Sequence, residues 1–342
     1  MNNNKKNNMS SATISLGLCC LNTILRNPKK IKGEKKPEPI FTSRTMRYAT
    51  LEEKGFSYAK ELSFKNIDDL KLMIEWNYNN NIHVFRMSSE MFPHISNPEI
   101  FKINQDEAIE YNSLEWARDK LKDVGELANK YNIRLTFHPG QFNQVGAKDE
   151  KVYNKTVFDL LWHARVLDML GTKNPVMVVH GGGMYGDKKK TLERWETNYK
   201  KLPEIIKRFL VLENCERCYS VEDLLPVCNN CNIPLVYDTH HYSCYTILHP
   251  DEKQRPIEEL IPDVLKTWKR RGIKPKFHIS EQGSGRCGHH SDYIEEIPQH
   301  IIDIPKKMNI SIDFMVEAKM KEQAILRLYE KYSDDGFLKI KI

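Results

Sequence analysis

The sequence predicts an α/β fold, a (β/α)8 barrel of the TIM type. Three observations carry this: eight short apolar runs, helix-length segments between most of them, and a metal-competent side chain closing each of six consecutive runs. Eight strands alternating with helices imply a parallel sheet, and eight is the number that closes such a barrel. The runs are almost continuously apolar, as strands covered by helices should be. An open doubly wound sheet is the alternative, weakened because no GxGxxG or P-loop follows the first run.

In order, the runs are TISLGLCC (13–20), HVFRMSS (83–89), RLTFHPG (134–140), VMVVHGGG (176–183), FLVLENC (209–215), LVYDTHH (235–241), KFHISE (276–281) and IDFMVEAK (312–319). Spaced Leu, Ile and Trp among charges predict helices over 66–79, 113–131, 154–170, 190–207 and 221–230. Ser220 reads as an N-cap, with Asp223 as an acidic variant of the capping box. The long gap 21–82 must hold insertions, notably Pro28 to Pro39. The expected organisation is a disordered polar tail (1–12), one barrel domain (13–332) with a basic loop at 26–44, and a short tail (333–342).

The chain has 342 residues, 40% hydrophobic and 29% charged, enough to bury a core. No run approaches the roughly eighteen apolar residues of a membrane span. The N-terminus lacks the apolar segment of a secretory signal, and eight cysteines are too sparse for a disulfide scaffold. A soluble, intracellular monomer with no obligate protein partner is expected. The net charge of +6 is unevenly spread: residues 1–48 hold ten Lys/Arg against two acids, and the rest carries −2. That end suits a polyanion such as nucleic acid, or is simply a solvated tail.

The six side chains at the strand ends are His138, His180, Glu213, Asp238, His278 and Glu317, joined by His241 and His290 in the following loops. Strand C-termini converge on the active-site mouth of such a barrel. Buried there, three carboxylates need cations, and mixed His/Asp/Glu sets bind divalent metals. Eight ligands exceed one coordination sphere, so two or three ions are expected, with Glu213 bridging. Mn2+, Zn2+ and Fe2+ all suit a set without Cys. Cys215-x-x-Cys218 and Cys228-x-x-Cys231 resemble a zinc-ribbon pair, but the expected helix over 221–230 would hold them apart. Cys19-Cys20 reads as packing.

At these residues the sequence resembles the UV damage endonuclease family. The matching pieces are LGLCCLN (16–22), SRTMR (43–47), FRMSSEMFP (85–93), FHPGQF (137–142), VHGGGMYG (179–186), LENCE (212–216), YDTHHY (237–242), KFHISEQ (276–282) and VEAKMKEQ (316–323). The resemblance implies cleavage of DNA immediately 5′ of cyclobutane dimers and 6-4 photoproducts, leaving a 3′-hydroxyl, with damaged duplex as partner and Mn2+ as the favoured ion. It implies all eight ligands named above, with Glu213, Lys276 and His241 as catalytic groups. Lys276 falls where the family can carry a carboxylated lysine; an ordinary solvated lysine is the other reading. Gln141 and Phe142 match the pair that probes the lesion, and Asn22 and Arg44 match residues lining the DNA side.

Three positions depart from the family pattern. Asn97 stands where a ligand His is usual, with His94 nearby in a different register, which predicts a weaker or differently built first metal site. Phe142 replaces a common Tyr, and Leu18 stands where some members have Tyr. An apurinic endonuclease or a sugar isomerase on the same barrel is the rival activity, and a catalytically dead DNA-binding module the rival class. The basic N-terminal excess and the extra His241 and His290 disfavour the isomerase, while intact ligand positions disfavour the dead module.

Overall fold

The eight apolar runs form eight parallel strands: β1 (Ile14–Cys19), β2 (Val84–Arg86), β3 (Arg134–Phe137), β4 (Val176–His180), β5 (Leu210–Glu213), β6 (Leu235–Val236), β7 (Lys276–Ile279) and β8 (Ile312–Val316). The structure, a computed structural model, describes residues 13–30, 32–33 and 35–332. The tails expected at 1–12 and 333–342 lie outside the described residues. The strand order β6-β5-β4-β3-β2-β1-β8-β7 runs once around a barrel. Between β6 and β7 the ladder narrows to one bridge, Asp238 to His278, where the His278 amide donates to the Tyr237 carbonyl at 3.0 Å. Every residue of β1, β3, β5, β7 and β8 is buried, because helices cover the outside and side chains fill the inside.

The helices are α1 (Thr23–Arg26), α2 (Tyr48–Asn79), α3 (Gln105–Ser113), α4 (Arg118–Lys130), α5 (Glu150–Leu170), α6 (Lys188–Lys201), α7 (Glu204–Phe209), α8 (Val221–Asn230), α9 (Thr239–Leu248), α10 (Ile257–Arg271), α11 (Gln299–Met308) and α12 (Glu322–Lys331). Helix α8 has the expected bounds and the full capping box of Ser220 and Asp223. The helix expected over 66–79 is the second part of α2, which begins at Tyr48 and breaks direction at Gly55, φ +71°. The helix expected over 190–207 is two, because Pro203 forces Leu202 into extended backbone. The run read as strand through residue 241 stops at Val236; Asp238 turns the chain by capping α9.

The two ends of the barrel differ chemically. At the strand N-termini, Arg134 Nη1 meets Asp313 Oδ2 at 2.9 Å and Lys274 pairs with the same carboxylate, two cations on one acid. The sequence ends of the barrel are tied as well. Buried Glu322 of α12 accepts from the amides of Thr23 (2.8 Å) and Ile24 (3.0 Å), while Asn22 Oδ1 caps the Leu25 amide at 2.9 Å. Helix α1 is four residues long and would not hold without these caps.

Helices α4 and α5 touch backbone to backbone at Gly125: a Cβ built there would lie 1.6 Å from the Leu170 carbonyl oxygen. Alanine is favoured by up to about 1 kcal/mol in an unhindered helix, but here it must push the helices apart. Gly125→Ala is therefore expected to destabilise by about 1–3 kcal/mol and to lower the melting temperature by several degrees. A melting temperature at or above wild type would show that the contact is loose.

Candidate metal centre

Four imidazoles converge on one buried carboxylate at the strand C-termini. His138 Nε2 lies 3.0 Å and His180 Nε2 3.8 Å from Glu213 Oε2; His278 Nδ1 lies 2.7 Å and His241 Nδ1 3.7 Å from Oε1. Asp238 stands 3.9 Å from both His241 and His278. Glu317 lies 3.5 Å from His278 and 3.8 Å from His290. Three overlapping sets have ligand-like spacing: His138-Glu213-His278, Glu213-Asp238-His241 and Asp238-His278-Glu317. All eight sequence-derived candidates thus meet in one place, although Asp238 and His241 arrive on the first turn of α9 rather than on a strand.

The hydrogen bonding around these groups is lopsided. Asp238 Oδ1 is taken by the His241 amide at 2.7 Å, whereas Oδ2 has no partner. Both oxygens of Glu213 and Nδ1 of His278 are also buried, and the ring nitrogens 2.7 and 3.0 Å from Glu213 do not meet it at a hydrogen-bonding angle. Leaving one buried acceptor unsatisfied costs about 1–3 kcal/mol, more when it is charged. These atoms face each other in a donor set of His and carboxylate, which fits divalent cations. His241 Nδ1 lies 3.0 Å from the Asn214 carbonyl; donating there leaves Nε2, which is 4.0 Å from Glu216 Oε2.

Protonation follows the same logic. Burial pushes the Glu213 carboxyl up, but His278, His180 and His138 outweigh it and hold it well below the usual carboxylate range. Burial likewise raises Glu317, and Arg86 and His278 outweigh it. Burial drives His138 down to about 4, into the neutral form that can ligate. For His241 burial is overcome by Asp238, Glu213, Glu317 and Glu216, which lift it to about 10. The acids hold either a proton or a cation at that ring.

A cleft of about 510 Å³ opens beside this centre, lined by Gln141, Phe142, His180, Glu216 and Arg217 among others. The match that decides the family spans residues 14–341 and is to UV-endonuclease UvdE. The chain belongs to the UvdE family. A protein of Acanthamoeba polyphaga mimivirus assigned as a UV-damage endonuclease is 39% identical, over 95% of this chain and 93% of that one. The UV-damage endonuclease of Schizosaccharomyces pombe is 38% identical over 93% of this chain, which spans only half the length of that relative. Among solved structures, SacUVDE superposes with a TM-score of 0.76 at 25% identity, covering 95% of this chain and 100% of that one.

Within this UvdE-family barrel the remaining candidates fall into place unevenly. Lys276 is not solvated: it is fully buried, with Nζ 2.6 Å from His278 Nε2, and burial with Arg86 and Arg134 nearby lowers it to about 8. Phe142 is 66% exposed, which excludes a core role, and Gln141 beside it is exposed too. Asn22 and Arg44 do not line the cleft. Asn22 is buried as the α1 cap, and Arg44 is held by Asp69 at 2.7 Å and by the Phe41 and Pro39 carbonyls. Asn97 caps a 3-10 turn at Pro98–Lys102, and His94 bonds the Met46 carbonyl; neither joins the described ligand sets. Leu18 is buried in the core. Cys215 and Cys218 follow β5, while Cys228 lies in α8 and Cys231 caps its far end, so the two pairs form no common group among the described residues.

Two members of the centre went unread in the sequence. Arg86, at the end of β2, pairs with Glu317, and Glu216 faces His241. Both occupy the strand-end zone that yielded the other candidates; Arg86 is missed by a search for ligands because it is the counter-ion of one.

The raised His241 gives a test. Its folded value, about 10, exceeds the ordinary 6.5, so in metal-free protein its stabilisation is full below about pH 6.5 and lost as pH rises toward 10. Chelated wild type should lose stability to urea across that window, and His241→Gln should flatten the loss. Parallel curves for the two proteins would refute this electrostatic reading.

Proposed function

We propose that this protein is a metal-dependent DNA repair endonuclease that nicks the backbone immediately 5′ of cyclobutane dimers and 6-4 photoproducts, leaving a 3′-hydroxyl. The observation that carries the reading is Glu213, whose two unsatisfied buried oxygens face four imidazoles in the mouth of a UvdE-family barrel. His138, His180, Glu213, Asp238, His241, His278, His290 and Glu317 would hold a cluster of two or three divalent ions, Mn2+ being favoured. Cations held there would supply Lewis acidity for phosphodiester hydrolysis. Glu213 would be the central ligand of the set, Arg86 fixes one oxygen of Glu317, and the Asn214 carbonyl fixes the ring of His241. Lys276, tuned toward its neutral amine, orients His278 and is the group that carboxylation would modify.

The partner is damaged duplex, met by a protein acting as a monomer inside the cell without an obligate protein partner. No described helix is long and apolar enough to cross a membrane. Damage selection draws on unstacking: a distorted step costs less to open, by a few kcal/mol. Phe142 stacks into the opening, Gln141 hydrogen-bonds a base edge, and exposed Lys29, Lys30, Lys32, Lys35 and Lys36 attract the phosphates.

The test is incubation with Mn2+ of an ultraviolet-irradiated, an abasic and an intact duplex. Nicking 5′ of the dimer with polymerase-extendable ends is expected, and Glu213→Gln should abolish it while DNA binding survives. Nicking of the abasic duplex alone would replace this reading with an apurinic endonuclease; no nicking of any duplex would end it. Stacking of an aromatic on a base is worth about 1–3 kcal/mol, so Phe142→Ala should slow incision at dimers roughly tenfold or more. The loss should be smaller at abasic sites, and Gln141→Ala should cost less than Phe142→Ala. Unchanged rates for Phe142→Ala on every lesion would remove it from recognition.

A further inference from the structure

The loop after β4 carries a second exposed aromatic beside the cleft. Tyr185 is 39% exposed and sits at φ +51°, a left-handed backbone that a bulky residue rarely adopts. Gly182 (φ +84°) and Gly186 (φ +80°) share the positive region, so the loop is turned sharply on both sides of the ring. Backbone strain of this kind persists where the surroundings over-determine it. Here they do. The Tyr185 carbonyl accepts from Lys148 Nζ at 3.4 Å, and the Arg194 guanidinium backs the ring at 5.4 Å. Arg194 is itself anchored on the Gly146 carbonyl (2.7 Å) and the Thr191 hydroxyl (2.9 Å).

Gln144 joins this loop to the one that carries Phe142. Its Oε1 accepts from the Gly183 amide at 2.7 Å and the Tyr185 hydroxyl at 3.4 Å, and its Nε2 donates to the Gln141 carbonyl at 2.9 Å. The fit is close on both sides: a Cβ on Gly182 would meet Gln144 Oε1 at 2.4 Å, and one on Gly140 would meet the Phe142 ring at 2.4 Å. β3 and β4 are neighbours in the barrel, so two exposed rings rise from adjacent loops held at fixed spacing, with His180 at the end of β4 leading to the metal centre.

We propose that Tyr185 is a second base-stacking residue that determines specificity for distorted duplex, receiving a nucleotide displaced beside Phe142. This rests on the reading above that DNA crosses the cleft. The exposed part of the Tyr185 ring is left over after Arg194 and Gln144 have packed against it, and stacking on an unstacked base would use it whatever the base identity. Arg194, fixed by Gly146 and Thr191, supports the ring as a platform.

The experiment measures binding and incision by the Mn2+-loaded full chain, using duplexes that are identical except for one cyclobutane dimer. Tyr185→Gly removes the ring and relieves the backbone, so its melting temperature should stay near wild type. Its Kd for the dimer duplex should rise about tenfold, with less than a twofold change for the intact duplex, and Tyr185→Phe should match wild type. Unchanged dimer affinity in Tyr185→Gly overturns the proposal. So does an equal loss on both duplexes, which would mark a general contact, and so does an equal loss in Tyr185→Phe, which would mark the hydroxyl instead. If Tyr185→Gly fails to fold, Tyr185→Asn repeats the comparison, since Asn tolerates the left-handed region. Wild type without any preference for the dimer duplex overturns the proposed function, and this inference with it; a preference that survives in Tyr185→Gly overturns the inference alone.

Discussion

Three carboxylates, Glu213, Asp238 and Glu317, are buried within reach of one another at the strand C-termini, and charge of that density cannot stay buried uncompensated. Most of what surrounds them is compensation. Arg86 neutralises one face of Glu317, the imidazoles crowd Glu213, and the α9 N-terminus takes one oxygen of Asp238. What remains unsatisfied is a set of lone pairs pointing inward. The opposite mouth has the reverse balance, with Arg134 and Lys274 both on the single carboxylate of Asp313. The contrast between an acid-rich end and a cation-rich one makes the barrel chemically polar.

Much of this was legible in the sequence, for a physical reason. Parallel strands buried on both faces are written as continuous apolar runs, so all eight were found; and because their ends converge, His138, His180, Glu213, His278 and Glu317 could be grouped without a structure. The misses have causes too. β6 is only two residues long, and the run that followed it was read as strand because an apolar Tyr237 precedes the capping Asp238. Helices α3, α9, α10, α11 and α12 lie outside the segments whose spacing predicts a helix; an internal proline is not the reason, since α8 contains Pro226 and has the predicted bounds. Helix α7 was fused to α6 because the extended residue before Pro203 is a leucine that fits either pattern.

Side-chain environment was the least legible level. Lys276 could be placed on the face of His278 by strand alternation, yet its complete burial follows from the fully buried interior of β7, which no local pattern reports. Phe142 could be matched to a probing residue, but its exposure depends on Gly140 leaving room beneath the ring. Asn22 and Arg44 show the reverse case: Asn22 Oδ1 is engaged in capping α1, although its Nδ2 has no partner, and Arg44 holds the insertion to α2 through Asp69.

The tie between Glu322 and the first turn of α1 bears on how the molecule comes into being. A ribosome delivers β1 first and β8 last, yet the two are hydrogen-bonded neighbours, and the cap on Thr23 and Ile24 arrives five residues after Glu317. Ring closure, the seating of Glu317 and the ordering of α1 therefore all wait for β8 and α12 to be made. Until then the nascent chain holds an open sheet, and the buried cluster around Glu213 lacks its third carboxylate.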